Sequence, residues 1–345
     1  MKTPLLGLDR AALRELATAA GQPAYRGGQL AEWLYAHGAR EFEAMTSLPA
    51  GWRAELAAGY RVGRSRLATE HVAADGTRKL LLELADGARV EAVALPWPER
   101  LSVCVSSQTG CAMGCRFCAT GYLGAGRNLD VGELTDQILT AGEAAGRAPT
   151  HVVLMGMGEP LANLGAVLPA IELWRDELEL SPRRVTVSTV GLPAGIAALA
   201  AADLPVTLAV SLHAADDDLR ADLIPVAGRR WSVAEVLAAA RDYAAATGRR
   251  VTYEVVLLSG VNDRAVDAEV LARRLVPGEH VNLIPFNAVG EAPYAAPTRG
   301  AIGAFRARLE AAGLVVTQRE TRGDSISGAC GQLRAAVAPE RRPSS

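Results

Sequence analysis

Four of the chain's five cysteines fall in one stretch, "CVSSQTGCAMGCRFCATG", from Cys104 to Gly121. Three of them, Cys111, Cys115 and Cys118, are spaced C-x3-C-x2-C. Cys104 lies upstream, and Cys330 stands far away in "SGACGQL". Thiolates serve as metal ligands and as nucleophiles. Three on one short loop can face a single inorganic centre. A structural zinc site takes four protein ligands, commonly from paired knuckles. No second knuckle follows here, and Cys104 falls within a strand pattern. An iron–sulfur cluster held by three cysteines instead leaves one iron open to a small molecule. The cluster is the favoured reading and zinc the plain alternative.

Other polar residues mark strand ends. The segment "MGMGEPL" supplies Gly158, which lets backbone approach a ligand closely, and Glu159, which can accept hydrogen bonds from an ammonium group. It lacks the third glycine of a dinucleotide fingerprint. Later strands end at Ser188, at Ser211, Leu212 and His213, and at Asn287. Taken singly, Ser188 and Asn287 read as caps or turn residues. Together these positions form a polar ring at one end of a sheet, as a cofactor site requires. Cys330 sits among Gly328, Ala329 and Gly331. A lone cysteine is commonly a small buried hydrophobe, but such permissive neighbours argue for access. His37, His71, His151 and His280 show no grouping and read as surface or satisfied core histidines. The tripeptide from Arg322 to Asp324 reads as chance.

The elements that must position these groups follow from pattern. Over residues 1–62, "DRAALRELATAAG" and "YRGGQLAEWLYAHG" carry apolar residues at helical spacing, each closed by glycine. Residues 63–96 alternate short strands with the turn signals Asp75-Gly76 and Asp86-Gly87, predicting a small antiparallel sheet that links the helical head to the body. Over residues 97–332 apolar strands alternate with alanine- and leucine-rich helices. That predicts an α/β fold on a parallel sheet, open or curled into a barrel, with ligands at the carboxyl ends of its strands. Residues 333–345 read as a disordered tail.

The 345 residues suffice for one large core with a small appended domain. Half are hydrophobic and the net charge is −2, so charge alone does not point to nucleic acid. Nearly every base is arginine; lysine occurs only at Lys2 and Lys79. No apolar run approaches the length of a membrane span, and the N-terminus does not read as a signal peptide. A reducing, cytoplasmic setting is expected, with thiols as ligands or catalysts rather than disulfides.

The C-x3-C-x2-C spacing, with Phe117 before the last cysteine, resembles the radical S-adenosylmethionine (SAM) superfamily. That resemblance implies a 4Fe–4S cluster on Cys111, Cys115 and Cys118 whose open iron binds SAM, cleaved by one electron to a 5'-deoxyadenosyl radical. The segments "DGTRKLLLEL", "VEAVALP", "RNL", "LMGMGEPL", "VTVSTVG", "AVSLHA", "LIPFN" and "GDSISGACGQL" follow in order over about residues 75 to 332 and are similar to the RlmN family of adenosine C2-methyltransferases. One departure is Ala125, where a bulky aromatic is expected; it bears on a packing contact. The resemblance implies a partial (β/α)6 barrel, 23S rRNA and tRNA as substrates, an external electron donor, a monomer and two SAM per turnover. It implies that Cys330 takes a methyl group from one SAM and, after radical activation by the second, links to adenine C2. Glu91 in "VEAV" accepts the C2 proton, and Cys104 attacks Cys330 to free the RNA through a transient disulfide. Carbon 2 of adenine is not a nucleophile, so a thiolate must take the methyl first. Without the resemblance, Glu91 reads as an exposed strand carboxylate. Two alternatives remain: a C8-methylating relative with the same cysteines, and a non-catalytic, metal-stabilised RNA-binding protein.

Overall fold

The computed structural model describes residues 2–290 and 292–333, so all of the expected tail except Leu333 lies outside the described residues. Leu333 itself is buried, and its carbonyl accepts a hydrogen bond from Thr120 Oγ1.

Twelve strands are present: β1 (Thr3–Pro4), β2 (Tyr60–Arg61), β3 (Arg66–Val72), β4 (Arg78–Glu83), β5 (Arg89–Pro96), β6 (Leu101–Cys104), β7 (His151–Leu154), β8 (Val185–Thr189), β9 (Thr207–Ser211), β10 (Val251–Leu257), β11 (His280–Pro285) and β12 (Val315–Gln318). Strands β3 to β12 form one sheet in chain order, and β1 pairs with β2. From β6 to β12 every pairing is parallel, with helices in the connections. The fold is therefore the expected α/β one, with seven parallel strands rather than six. The antiparallel strands β3 to β5 do not stand apart as a linking sheet: β5 pairs along β6 and continues the same sheet. Both expected turns form. Gly76 and Gly87 take φ of 80° and 83°, and Asp75 and Asp86 accept from the backbone N–H two residues on.

Alternation along the strands makes the interior. In β6, Leu101 and Val103 are fully buried against the helices, while Ser102 and Cys104 point into the curled sheet. In β8, Val185 and Val187 are buried in the same way, and Thr186 and Ser188 face inward. The edge strands β3 and β12 do not pair with each other, so the sheet stays open. Residues 319–333 cross that gap as a strap. Arg319 N donates to Leu283 O, Arg322 donates to Pro96 O and pairs with Asp75, and Lys79 Nζ donates to Ser327 O. Farther along, Gln332 Nε2 donates to Ala288 O, and Ala119 N donates to Gly331 O.

The head packs helices Arg10–Ala19, Tyr25–Tyr35 and Ala50–Gly59 around Leu13, Leu30, Leu34, Trp52 and Leu56. It is fastened to the body. A Cβ on Gly7 would lie 2.6 Å from Gly132 N, so only glycine allows the two backbones to touch there. Arg64, just beyond the head, donates to Gly38 O of the head and pairs with Asp136 of the body, the two side chains 2% and 1% exposed, and Ser65 N donates to the same carboxylate at 2.8 Å. Asp136→Ala leaves the Arg64 charge buried beside fewer acceptors. A loss of about 3–5 kcal/mol is expected in denaturant unfolding, with Asp136→Asn losing less. A loss no larger than that of a surface substitution would show that the pair does not hold the head. Among the described residues, no helix is long and apolar enough to cross a membrane.

Candidate active site

The loop after β6 carries the three clustered cysteines over the carboxyl ends of the strands. Its course is set by backbone bonds: Ser107 N to Met157 O at 2.7 Å and Cys111 N to Gly124 O at 2.7 Å. Gly121 lies against the Cys115 backbone, where a Cβ would come within 2.4 Å of Cys115 O. A short helix, Ala119–Leu123, begins directly after Cys118. Ala125, in the loop beyond it, is exposed, so its small side chain leaves no buried void.

Cys111, Cys115 and Cys118 line one cavity, and no cysteine is in a disulfide. Burial is the largest cause raising each thiol: Cys111 is pushed up to about 12, Cys115 well above its ordinary value, and Cys118 upward. Three thiolates in this setting need a compensating positive centre. Three cysteine donors on one cavity, with no fourth on their loop, fit a cluster that takes one thiolate at each of three irons.

The polar ring gathers on the same cavity. Gly158, Glu159, Ser188, Ser211, His213 and Asn287 all line it. Gly158 has φ of 102°, and a Cβ there would lie 2.7 Å from Ser107 Oγ, so the β7 loop packs directly on the cysteine loop. Glu159 is 2% exposed and accepts from Leu161 N at 3.0 Å and Val190 N at 2.8 Å. His213 takes φ of 60° and packs edge-on against Phe117, with ring centroids 4.5 Å apart. Its Nδ1 accepts from Val256 N at 3.0 Å, and burial pushes its pKa down to about 3, so the ring is neutral. Asn287 Nδ2 donates to Cys330 O at 3.1 Å. Leu212 does not join the ring. Its side chain is fully buried in the main core, because alternation along β9 turns it outward; its backbone N donates to Glu254 O.

Burial pushes Glu159 up to about 7, against its two backbone donors. The sign follows from linkage: a carboxyl raised on folding contributes stability below about pH 4.5, and that stability is lost as pH rises through about 7. In cluster-free protein, Glu159→Gln is therefore expected to gain on the parent by up to about 3 kcal/mol between those limits. Unfolding free energies measured across that range check this; a pH-independent difference would contradict it.

The strap places Cys330 in the wall of the cysteine-lined cavity and of a second one below it. Cys104 lines only the second. The two sulfurs are electrostatic neighbours, and Cys104 is pushed up to about 12, by burial first and then by Cys330. Glu91 lines neither cavity. It is 2% exposed, not a solvent-facing carboxylate, and Lys79 Nζ lies 3.0 Å from its Oε1. It lies one inward step along β5 from Val93, which is paired with Cys104. Residues not singled out from the sequence complete the site. Arg319 Nη1 lies 3.4 Å from Cys330 Sγ and 3.4 Å from Met155 Sδ. Buried Arg220 donates to the carbonyls of Val190, Leu212 and Trp231. Arg319 follows β12 as directly as Asn287 follows β11 and was open to the same reasoning; nothing in "DDDLRADL" marks Arg220.

A curated relative from Synechococcus sp. (strain JA-2-3B'a(2-13)), a probable dual-specificity RNA methyltransferase RlmN, is 49% identical over 96% of this chain and 95% of its own. The chain belongs to the RlmN family. A second relative of that description, from Synechocystis sp. (strain ATCC 27184 / PCC 6803 / Kazusa), is also 49% identical, over 96% of this chain and 95% of its own. The family model "Radical SAM superfamily" matches residues 105–270, and "Ribosomal RNA large subunit methyltransferase N-terminal domain" matches residues 3–62. The crystal structure of a radical SAM methyltransferase from Sphaerobacter thermophilus superposes with a TM-score of 0.93 at 44% identity, covering 97% of this chain and all of that one. RlmN membership thus places the cysteine loop and parallel sheet in the radical SAM fold, and the helical head in the family's N-terminal domain.

Proposed function

We propose that this chain is a SAM-dependent RNA methyltransferase that methylates C2 of adenosine in 23S rRNA and in tRNA through a methylated Cys330. One observation carries the reading: a single cavity wall brings Cys330 between the three loop cysteines and Cys104. The names of the relatives and of the N-terminal family model support an RNA substrate. Cys111, Cys115 and Cys118 would hold a 4Fe–4S cluster, and Gly158, Glu159, Ser188, Ser211, His213 and Asn287 would surround SAM, two per turnover. Leu212 would act through its backbone alone. When bound, cluster and SAM supply a 5'-deoxyadenosyl radical, given an electron from an external donor.

The remaining steps belong to the chain. Cys330 takes a methyl group and, once that carbon is activated, carries it to C2 of an adenine lifted out of its stack. Glu91 accepts the C2 proton. Cys104 then attacks the Cys330 sulfur: the Sγ–Sγ bond forms as the carbon–sulfur bond breaks, the released methylene carbon takes up a proton to become the methyl group of the freed RNA, and the surplus electron of the adduct would pass back to the cluster. Lys79 binds the Glu91 carboxylate and the strap carbonyl of Ser327 together, which ties the proposed base to the strap that carries Cys330. The head and β3 to β5 would read RNA shape. The chain is taken to work as a cytoplasmic monomer.

The test is mass spectrometry of digested, previously unmodified 23S rRNA and tRNA after anaerobic incubation with cluster-loaded protein, SAM and a reductant. 2-Methyladenosine is expected in both. 8-Methyladenosine would move the chain to its C8-methylating relatives. No methylation in a competent assay would return it to an RNA-binding role.

A further inference from the structure

The second cavity has a use that the methylation steps leave open. Its wall includes Ser102 near the start of β6, His151 at the start of β7 and Arg184 just before β8. It therefore opens toward the amino ends of the strands, opposite the cysteine loop. Cys104 stands at its inner end, three residues along β6 from Leu101, or about 10 Å at the rise of a strand.

Its wall is basic. Arg100, Arg184, Arg319 and Arg322 line it, against the one carboxylate of Glu320. Arg100 and Arg184 are exposed at the mouth, and neither makes an ion pair among the described residues. Arg322 and Arg100 stack on Trp97, with guanidinium carbons 4.4 and 4.9 Å from the ring centroid, which fixes Arg100 at the rim. Burial lowers the pKa of His151 on the same wall, and Arg100 and Arg184 lower it further, so the mouth carries positive potential.

We propose that this cavity admits a low-molecular-weight anionic thiol that reduces the Cys104–Cys330 disulfide after each turnover, with Trp97, Arg100 and Arg184 forming its mouth. The proposal rests on the disulfide-forming release step above. A first thiolate attacks Cys104 Sγ, and the Sγ–Sγ bond breaks. The electron pair departs on Cys330 Sγ, beside the Arg319 guanidinium, and that sulfur takes up a proton. A second thiol attacks the small molecule's sulfur in the mixed disulfide and returns Cys104 as a thiol. Two thiols become one disulfide, and two electrons and two protons pass to the protein. With Cys104 about 10 Å from the amino end of β6, the cavity favours a slender thiol over the active-site loop of a protein reductase.

The experiment uses the full chain, with the disulfide formed by turnover. Its reduction is followed by mass spectrometry after thiol trapping, using 2-mercaptoethanesulfonate, 2-mercaptoethanol and cysteamine at equal thiolate concentration. The sulfonate is expected to outpace the amine on the order of tenfold at low salt. The double variant Arg100→Glu, Arg184→Glu should erase or invert that preference and leave the neutral thiol unchanged. A disulfide whose reduction ignores probe charge in both proteins overturns the proposal alone. Absence of any disulfide after turnover overturns the release step, and the proposal with it.

Discussion

Replacing Cys104 with alanine is expected to leave protein and RNA joined by a covalent bond. In the proposed scheme nothing before release needs the Cys104 sulfur: methyl acceptance and bond formation to C2 are assigned to Cys330, and proton removal to Glu91. Only cleavage of the last carbon–sulfur bond needs a second sulfur, and Cys104 alone lines the lower cavity together with Cys330. No other free cysteine stands there to substitute. Most of the active Cys104→Ala protein should migrate with RNA on a denaturing gel after one turnover, and digestion should leave a modified adenosine on the Cys330 peptide. Free, fully methylated RNA from this variant would remove Cys104 from release. Loss of Cys330 should prevent the adduct altogether, which separates a true intermediate from adventitious cross-linking.

The second large effect is expected from Cys118→Ala. A cluster on the three loop cysteines has no fourth cysteine on that loop to replace Cys118, and the other thiol of the cavity, Cys330, is the proposed methyl carrier. Iron, sulfide and the broad visible absorbance should be lost together, and methylation should fall on the order of 10³-fold or more. The fold should survive. Cys118 is only partly buried, and Ala119 N to Gly331 O and Cys111 N to Gly124 O are backbone bonds that the substitution leaves in place. Near-native unfolding alongside absent iron would locate the effect in the ligand. Retained methylation would defeat the radical reading.

How much of this was legible depends on range. The cysteine loop declared itself because three cysteines within eight residues are a local signal, and both hairpin turns did so through Asp-Gly pairs. Strand ends were readable as polar breaks, and six of the seven ring positions named there line the cavity, all but Leu212. Leu212 was carried along with its neighbours in "SLH", and alternation along β9 turns it away. The burial of Glu91 escaped a reading of exposed strand carboxylates because Lys79 comes from the neighbouring strand β4. His280 fits its reading as a satisfied core residue, bonded by Thr252 and Thr317, whereas His151 lines the lower cavity. That cavity could not be read at all, since its wall is assembled from β5, β6, β7, β8 and the strap, far apart in the chain. The continuity of β5 with β6 is likewise a pairing between segments, which patterning within either one does not encode.

The strap has a further consequence, for the order in which the protein matures. It is synthesised after the whole sheet, and it roofs the cysteine loop through Gly331 and Leu333. The chain emerges amino end first, so the three ligands are folded and uncovered before their cover exists. If the proposed cluster is loaded at that stage, iron and sulfide would reach an open cup, and docking of residues 319–333 would close over it.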